Sequence, residues 1–95
     1  MKVKFTDSAI EDIQDILSWY TSQLAPDIGQ QLVTEIIERA QTLADHPNIG
    51  RVVPEYANPN IRELIHPPLR VIYEKDKSLI AIVRVWRSER MLQLP

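Results

Sequence analysis

The chain opens on strict alternation, with Val3 and Phe5 apolar between the charged Lys2 and Lys4. That is the two-residue period of a half-buried strand, predicted over 1–5. From Ala9 the period becomes three and four: Ala9, Ile13, Ile16, Leu17, Tyr20 and Leu24 share one stripe, and Glu11, Asp12 and Asp15 fall off it. This predicts an amphipathic helix. Thr6-Asp7-Ser8 offers capping oxygens, and Ser8 followed by Glu11 matches a capping box, in which each side chain satisfies a backbone donor at the helix start. Pro26, whose missing donor costs nothing in a first turn, starts a second helix with Asp27 beside it. Its stripe is Gly29, Leu32, Val33, Ile36, Ile37, Ala40, Leu43 and Ala44. His46-Pro47-Asn48-Ile49-Gly50 ends it, because Pro47 disfavours the helical region for His46 and Gly50 permits a turn at positive φ. The resulting helical hairpin, 8–45, presents a joint apolar face that needs a sheet to cover it.

From Arg51 to Asn60 the chain has no periodicity and carries Pro54, Asn58, Pro59 and Asn60, which predicts a surface loop. A three-stranded meander over 61–90 follows, with strands near 61–65, 69–74 and 79–86 and a tail at 91–95. Taking Asp76 and Lys77 as the centre of the last hairpin sets Tyr73 opposite Ile80, Val71 opposite Ile82 and Arg70 opposite Val83. Val71, Tyr73, Ile80 and Ile82 then face the helices, and Arg70, Glu74 and Arg87 face away. In the first hairpin, a three-residue turn at His66-Pro67-Pro68 puts Arg62 on Arg70's face, and a four-residue turn puts Glu63 there instead, because a slip of one residue reverses every side chain. The order β-α-α-β-β-β predicts an α+β fold, a helical hairpin on a small antiparallel sheet, as a single domain over 1–95.

Charge changes this picture more than composition does. The net charge of −2 divides into four Lys/Arg against nine Asp/Glu through Asn60, a net of −5, and seven against four from Ile61 onward, a net of +3. A basic C-terminal part suits a localised acidic partner, and the overall balance argues against coating of nucleic acid or specific DNA binding by this chain alone. With no cysteine, disulfides, thiolate metal sites and thiol nucleophiles are excluded. No apolar run has the length of a signal peptide or a membrane span, so a cytoplasmic protein without cofactor is expected.

Thr6-x-x-Ala9-x-x-Asp12-Ile13-x-x-Ile16, Leu43-Ala44-Asp45-His46-Pro47-x-x-Gly50-Arg51, Arg62-Glu63-Leu64, Leu69-Arg70-Val71-Ile72-Tyr73 and Ile80-x-Ile82-Val83-x-Val85-Trp86-Arg87-Ser88-Glu89-Arg90 occur in that order. In these motifs the chain resembles the ParE/RelE superfamily of toxins from type II toxin-antitoxin systems, nearer the ParE branch. The resemblance implies two helices on a small antiparallel sheet, and a growth-inhibiting toxin neutralised in a hetero-oligomer with its cognate antitoxin. ParE-like members poison DNA gyrase, whereas RelE-like members are ribosome-dependent mRNA endoribonucleases. A metal-independent RNase needs a base, phosphate-binding cations and an acid. In RelE-like sequences these roles fall on lysines of the strand matching 61–65, on the arginine matching Arg70, on one near Arg87 to Arg90, and on a Tyr or His near the C-terminus. Here that strand holds no lysine and 91–95 holds neither Tyr nor His. The resemblance therefore favours gyrase poisoning without catalysis, with two alternatives: an endoribonuclease using Arg70 and Arg87, or a non-toxic antitoxin-binding relic.

The candidate partner-binding residues are Arg62, Arg70, Arg84, Trp86, Arg87 and Arg90. Arginine forks suit carboxylate or phosphate, and a tryptophan flanked by arginines suits a binding hot spot. Glu63, Glu74 and Glu89 stand close enough to tie those arginines up in cross-strand pairs, and Trp86 also fits a core plug. His66 is expected as a solvated turn residue, Tyr73 as a core side chain with its hydroxyl at the edge, and His46 as a cation at a helix end.

Overall fold

The computed structural model describes residues 1–88. Arg90 and the tail 91–95 lie outside the described residues. The elements are β1 (Lys2–Phe5), α1 (Asp7–Ser22), α2 (Pro26–Thr42), β2 (Arg51–Val52), β3 (Ile61–His66), β4 (Leu69–Lys75) and β5 (Leu79–Arg87). The α+β fold is the one expected, with a helical hairpin on one face of a sheet ordered β1-β5-β4-β3-β2. Two details differ. β1 joins the sheet parallel to β5, and the segment expected as loop contributes β2, whose Arg51 and Val52 pair with Glu63 and Arg62.

Helix α1 begins earlier than its capping box suggests. Thr6 is the N-cap, accepting from the Ala9 N–H at 3.2 Å while its own hydroxyl donates to the Ile82 carbonyl at 3.1 Å. Following directly from β1, Thr6 is held by the neighbouring strand, and Ser8 lies inside the helix. At the other end Leu24 leaves the apolar stripe: it is 92% exposed, at φ 59. The Leu24 N–H donates to Thr21 O and the Ala25 N–H to Tyr20 O, so Leu24 occupies the left-handed position of a Schellman cap, where glycine is usual. Gly29 then lets α2 close on α1, since a Cβ there would stand 2.9 Å from that of Tyr20.

Both hairpins differ from their expected registers. The first turns on two residues, Pro67-Pro68, pairing His66 with Leu69 and Ile65 with Arg70. This has the parity of the four-residue alternative: Glu63 shares Arg70's face, and Arg62 lies with Tyr73 on the helix side. In the second hairpin Tyr73 pairs with Ile82 rather than Ile80, and a bulge then sets Ile72 opposite Arg84, leaving Val83 extra. An extra residue reverses the alternation beyond it. Val85, 1% exposed, turns into the core with Leu69, Val71, Tyr73, Ile80 and Ile82; Arg87 turns to the helix side, and Trp86 turns to the open face opposite Arg70. A flat strand would have buried Arg84 and Trp86 and exposed Val85.

Tyr73 is fully buried, hydroxyl included. That hydroxyl donates to the Pro47 carbonyl at 2.9 Å and accepts from the Gly50 N–H at 3.0 Å. Burial pushes its pKa up, against the opposing effect of the Gly50 hydrogen bond. Gly50 does not have positive φ; a Cβ there would lie 2.7 Å from the Glu63 carbonyl, so close approach and not backbone conformation demands glycine.

Candidate functional site

The sheet face turned away from the helices gathers most of the chemistry. Register puts directly paired residues on one side, so this face carries a row Ile65, Arg70, Trp86 and, beside it, a row Arg51, Glu63, Ile72, Arg84. Glu63 is 1% exposed and accepts from Arg70 Nε at 2.6 Å on one oxygen and from Arg51 Nε at 2.8 Å on the other. Arg70 is itself 8% exposed, and its Nη2 stands 3.9 Å from Glu55 in the turn after β2. A buried carboxylate is tolerable here because two guanidinium groups saturate it.

At the far side of the face β1 has ended, and the edge of β5 meets α1. Asp12, expected on the polar face of its helix, is buried because it closes this edge. Its Oδ2 accepts from Arg84 Nε at 2.7 Å and from the Val85 N–H at 2.9 Å, and its Oδ1 accepts from Arg84 Nη2 at 2.9 Å. These bonds raise the Arg84 pKa and hold the bulge in place. Arg84 also lies 5.0 Å over the Trp86 ring, and together with Tyr56, Ile61, Ile72 and Glu74 they line a half-open cavity of about 220 Å³. Asp12→Ala is expected to cost about 2 kcal/mol, because it orphans the Val85 donor as well as the Arg84 pair. Asp12→Asn should lose less, since its amide oxygen can still serve Val85; urea unfolding midpoints of the two variants provide the comparison.

The other predicted residues are dispersed. Arg87 stacks over Trp19 of α1 at 3.8 Å on the helix side, so it does not share a face with Arg70. Arg62 donates to the carbonyls of Pro59, Asn48 and Gly50, at 3.1, 3.3 and 2.9 Å, and fastens the loops on either side of β2. His66 is no solvated turn residue: it ends β3, its Nε2 lies 2.8 Å from Glu35 and its Nδ1 lies 3.3 Å from Arg39 Nη1. With Arg39 donating to Nδ1, the proton belongs on Nε2, facing Glu35. The His66 hydrogen bond lowers the Glu35 pKa from its ordinary 4.5. A depressed carboxylate contributes stability above its unfolded pKa and loses it as pH falls through the lower folded value. The wild type is therefore expected to lose a small increment of stability below pH 4.5 that His66→Ala lacks; unfolding curves over the acid range would show the difference.

Sequence reasoning overlooked Arg51, Glu63 and Asp12 as site residues. All three stand within the quoted motifs, but only the register shows that Arg51 and Arg70 meet on Glu63.

A family profile described as the ParE toxin of the type II toxin-antitoxin system, parDE, matches residues 3–92. Among solved structures, the chromosomal ParDE toxin-antitoxin system from P. aeruginosa aligns with TM-score 0.76 and 26% identity, covering 92% of this chain and 95% of that one. The toxin-antitoxin complex RelBE2 from Mycobacterium tuberculosis aligns with TM-score 0.63 and 21% identity, covering 90% and 95%, a likeness of fold. No curated protein matches in sequence.

Proposed function

We propose that this chain, which belongs to the ParE toxin family of type II toxin-antitoxin systems, arrests growth by poisoning DNA gyrase and is held inactive by direct binding of its cognate antitoxin. The antitoxin is supported by two solved structures that share this fold and are toxin-antitoxin systems. The observation that carries gyrase over messenger RNA is the disposition of Arg70 and Arg87. The endoribonuclease alternative asks these two cations to serve one phosphate. Arg70 lies on the open face of the sheet, whereas Arg87 stacks on Trp19 on the helix side. As a protein-binding surface the same region is well suited, since Trp86 with Arg84 offers an aromatic and cationic anchor beside an apolar cavity. No helix among the described residues is long and apolar enough to cross a membrane.

Purified toxin added to gyrase and relaxed plasmid is expected to suppress supercoiling and to produce gyrase-dependent DNA breaks, both relieved by the antitoxin. Unimpaired supercoiling and intact DNA at toxin excess would sink the gyrase reading. Message cleavage in a cell-free translation reaction would replace it with the endoribonuclease.

A further inference from the structure

Glu63 ties two guanidinium groups to a single carboxylate, which leaves the trio one positive charge in excess. Each arginine reaches Glu63 through its Nε, so the terminal amino groups that form the other edge of the fork are not used in that bond. Arg51 is open to solvent, its side chain 63% exposed, whereas the side chain of Arg70 is only 10% exposed. What balances the excess charge is Glu55, on the turn after β2. It stands 3.9 Å from Arg70 Nη2, beyond hydrogen-bond distance, and its side chain is 59% exposed. A mostly buried guanidinium is thus served by a loosely held counterion.

We propose that Arg51 and Arg70 form a carboxylate-binding fork, positioned by Glu63 and occupied at rest by Glu55, and that an acidic side chain of the antitoxin displaces Glu55 on binding. This rests on the reading that an antitoxin is the partner. The exchange leaves the charge of the cluster unchanged, one carboxylate leaving as another enters. It replaces a loose rim contact, which is worth little, by charge-assisted hydrogen bonds to a preformed fork. The surroundings select an acidic peptide over nucleic acid. At the fork itself Arg51 and Arg70 are matched by Glu55 and Glu63, so it lacks the net positive field that holds a polyanion. Arg70 is also flanked in its row by Ile65, 41% exposed, and Trp86, which suit apolar residues next to the incoming carboxylate.

The test is the affinity of the toxin for its cognate antitoxin, in the wild type and in two variants at exposed positions, with thermal unfolding as a check on folding. Glu55→Gln removes the resident competitor and is expected to bind about two- to fivefold tighter. Arg51→Ala is expected to bind about tenfold weaker. A purely structural role for Glu55 predicts no gain. Unchanged or weaker binding by Glu55→Gln, with wild-type binding intact, overturns the fork and leaves the antitoxin reading standing. Failure of the wild type to bind removes that reading and the fork with it. A poly(U) oligonucleotide that gains affinity in Glu55→Gln while the antitoxin does not would mark a polyanion site, which also overturns the proposal.

Discussion

Glu63→Ala is expected to lower stability by about 3–5 kcal/mol, the cost of leaving a buried charge uncompensated. Glu63 is fully buried beneath its two arginines, so its loss strands the guanidinium of Arg70, which has little access to water. Glu55, a loose and mostly exposed contact 3.9 Å from Arg70 Nη2, offsets only a small part of this. The size of the effect comes from burial, and a comparison demonstrates it: Arg51→Ala removes the other cation from the same carboxylate, but Arg51 is mostly exposed, so less than about 1 kcal/mol is expected. Replacing Glu63 and Arg70 together by leucine and methionine should recover most of the loss, because an apolar pair of similar volume carries no desolvation cost. Urea unfolding of the four proteins measures each quantity. A Glu63→Ala loss no larger than that of Arg51→Ala would show that Arg70 finds water.

The second large effect is expected at Gly50. In Gly50→Ala the new methyl group would lie 2.7 Å from the Glu63 carbonyl oxygen, from Tyr73 Cε1 and from the Tyr73 hydroxyl. A strand backbone and a buried ring cannot swing aside as a flexible side chain does. A loss of about 3 kcal/mol is expected, the upper part of the usual range for overpacking. Tyr73→Phe should cost about 2 kcal/mol for a different reason, since it deprives Gly50 N–H and Pro47 O of their partner. The double variant should lose less than the sum, because deleting the hydroxyl also deletes one of the three clashes. Strict additivity in thermal or urea unfolding would mean that the two residues do not act on one another.

Periodicity in the sequence was enough to find both helices and the main strands, because a stripe at three and four or an alternation at two is imposed by burial alone. The same pattern placed Val71, Tyr73, Ile80 and Ile82 correctly on the helix face even though the hairpin register was off by two, since an even slip preserves parity. It failed where one residue changes the count. The bulge at Val83 depends on the Asp12 carboxylate reaching the Val85 N–H, a contact between residues 73 apart in the chain, and nothing local announces it. That one residue moved Arg87 to the helices and Trp86 to the open face. The arginines were legible as a group, but their assignments were not: which of them binds a carbonyl, a carboxylate or a ring depends on cross-strand neighbours. Asp12 and Glu63 read as surface charges because a buried carboxylate is recognisable only with its cations in view.

The parallel pairing of β1 with β5 also governs when this protein can exist. Val3 finds its place beside Ile80, and Phe5 beside Ile82. Translation at about 5–20 residues per second separates the emergence of those two strands by roughly 4–15 s. During that interval the sheet lacks the strand that joins its first element to the rest, and contacts so distant in sequence form slowly even once both ends are present. Any activity that needs the folded sheet is thereby postponed until β5 has emerged and taken β1 beside it.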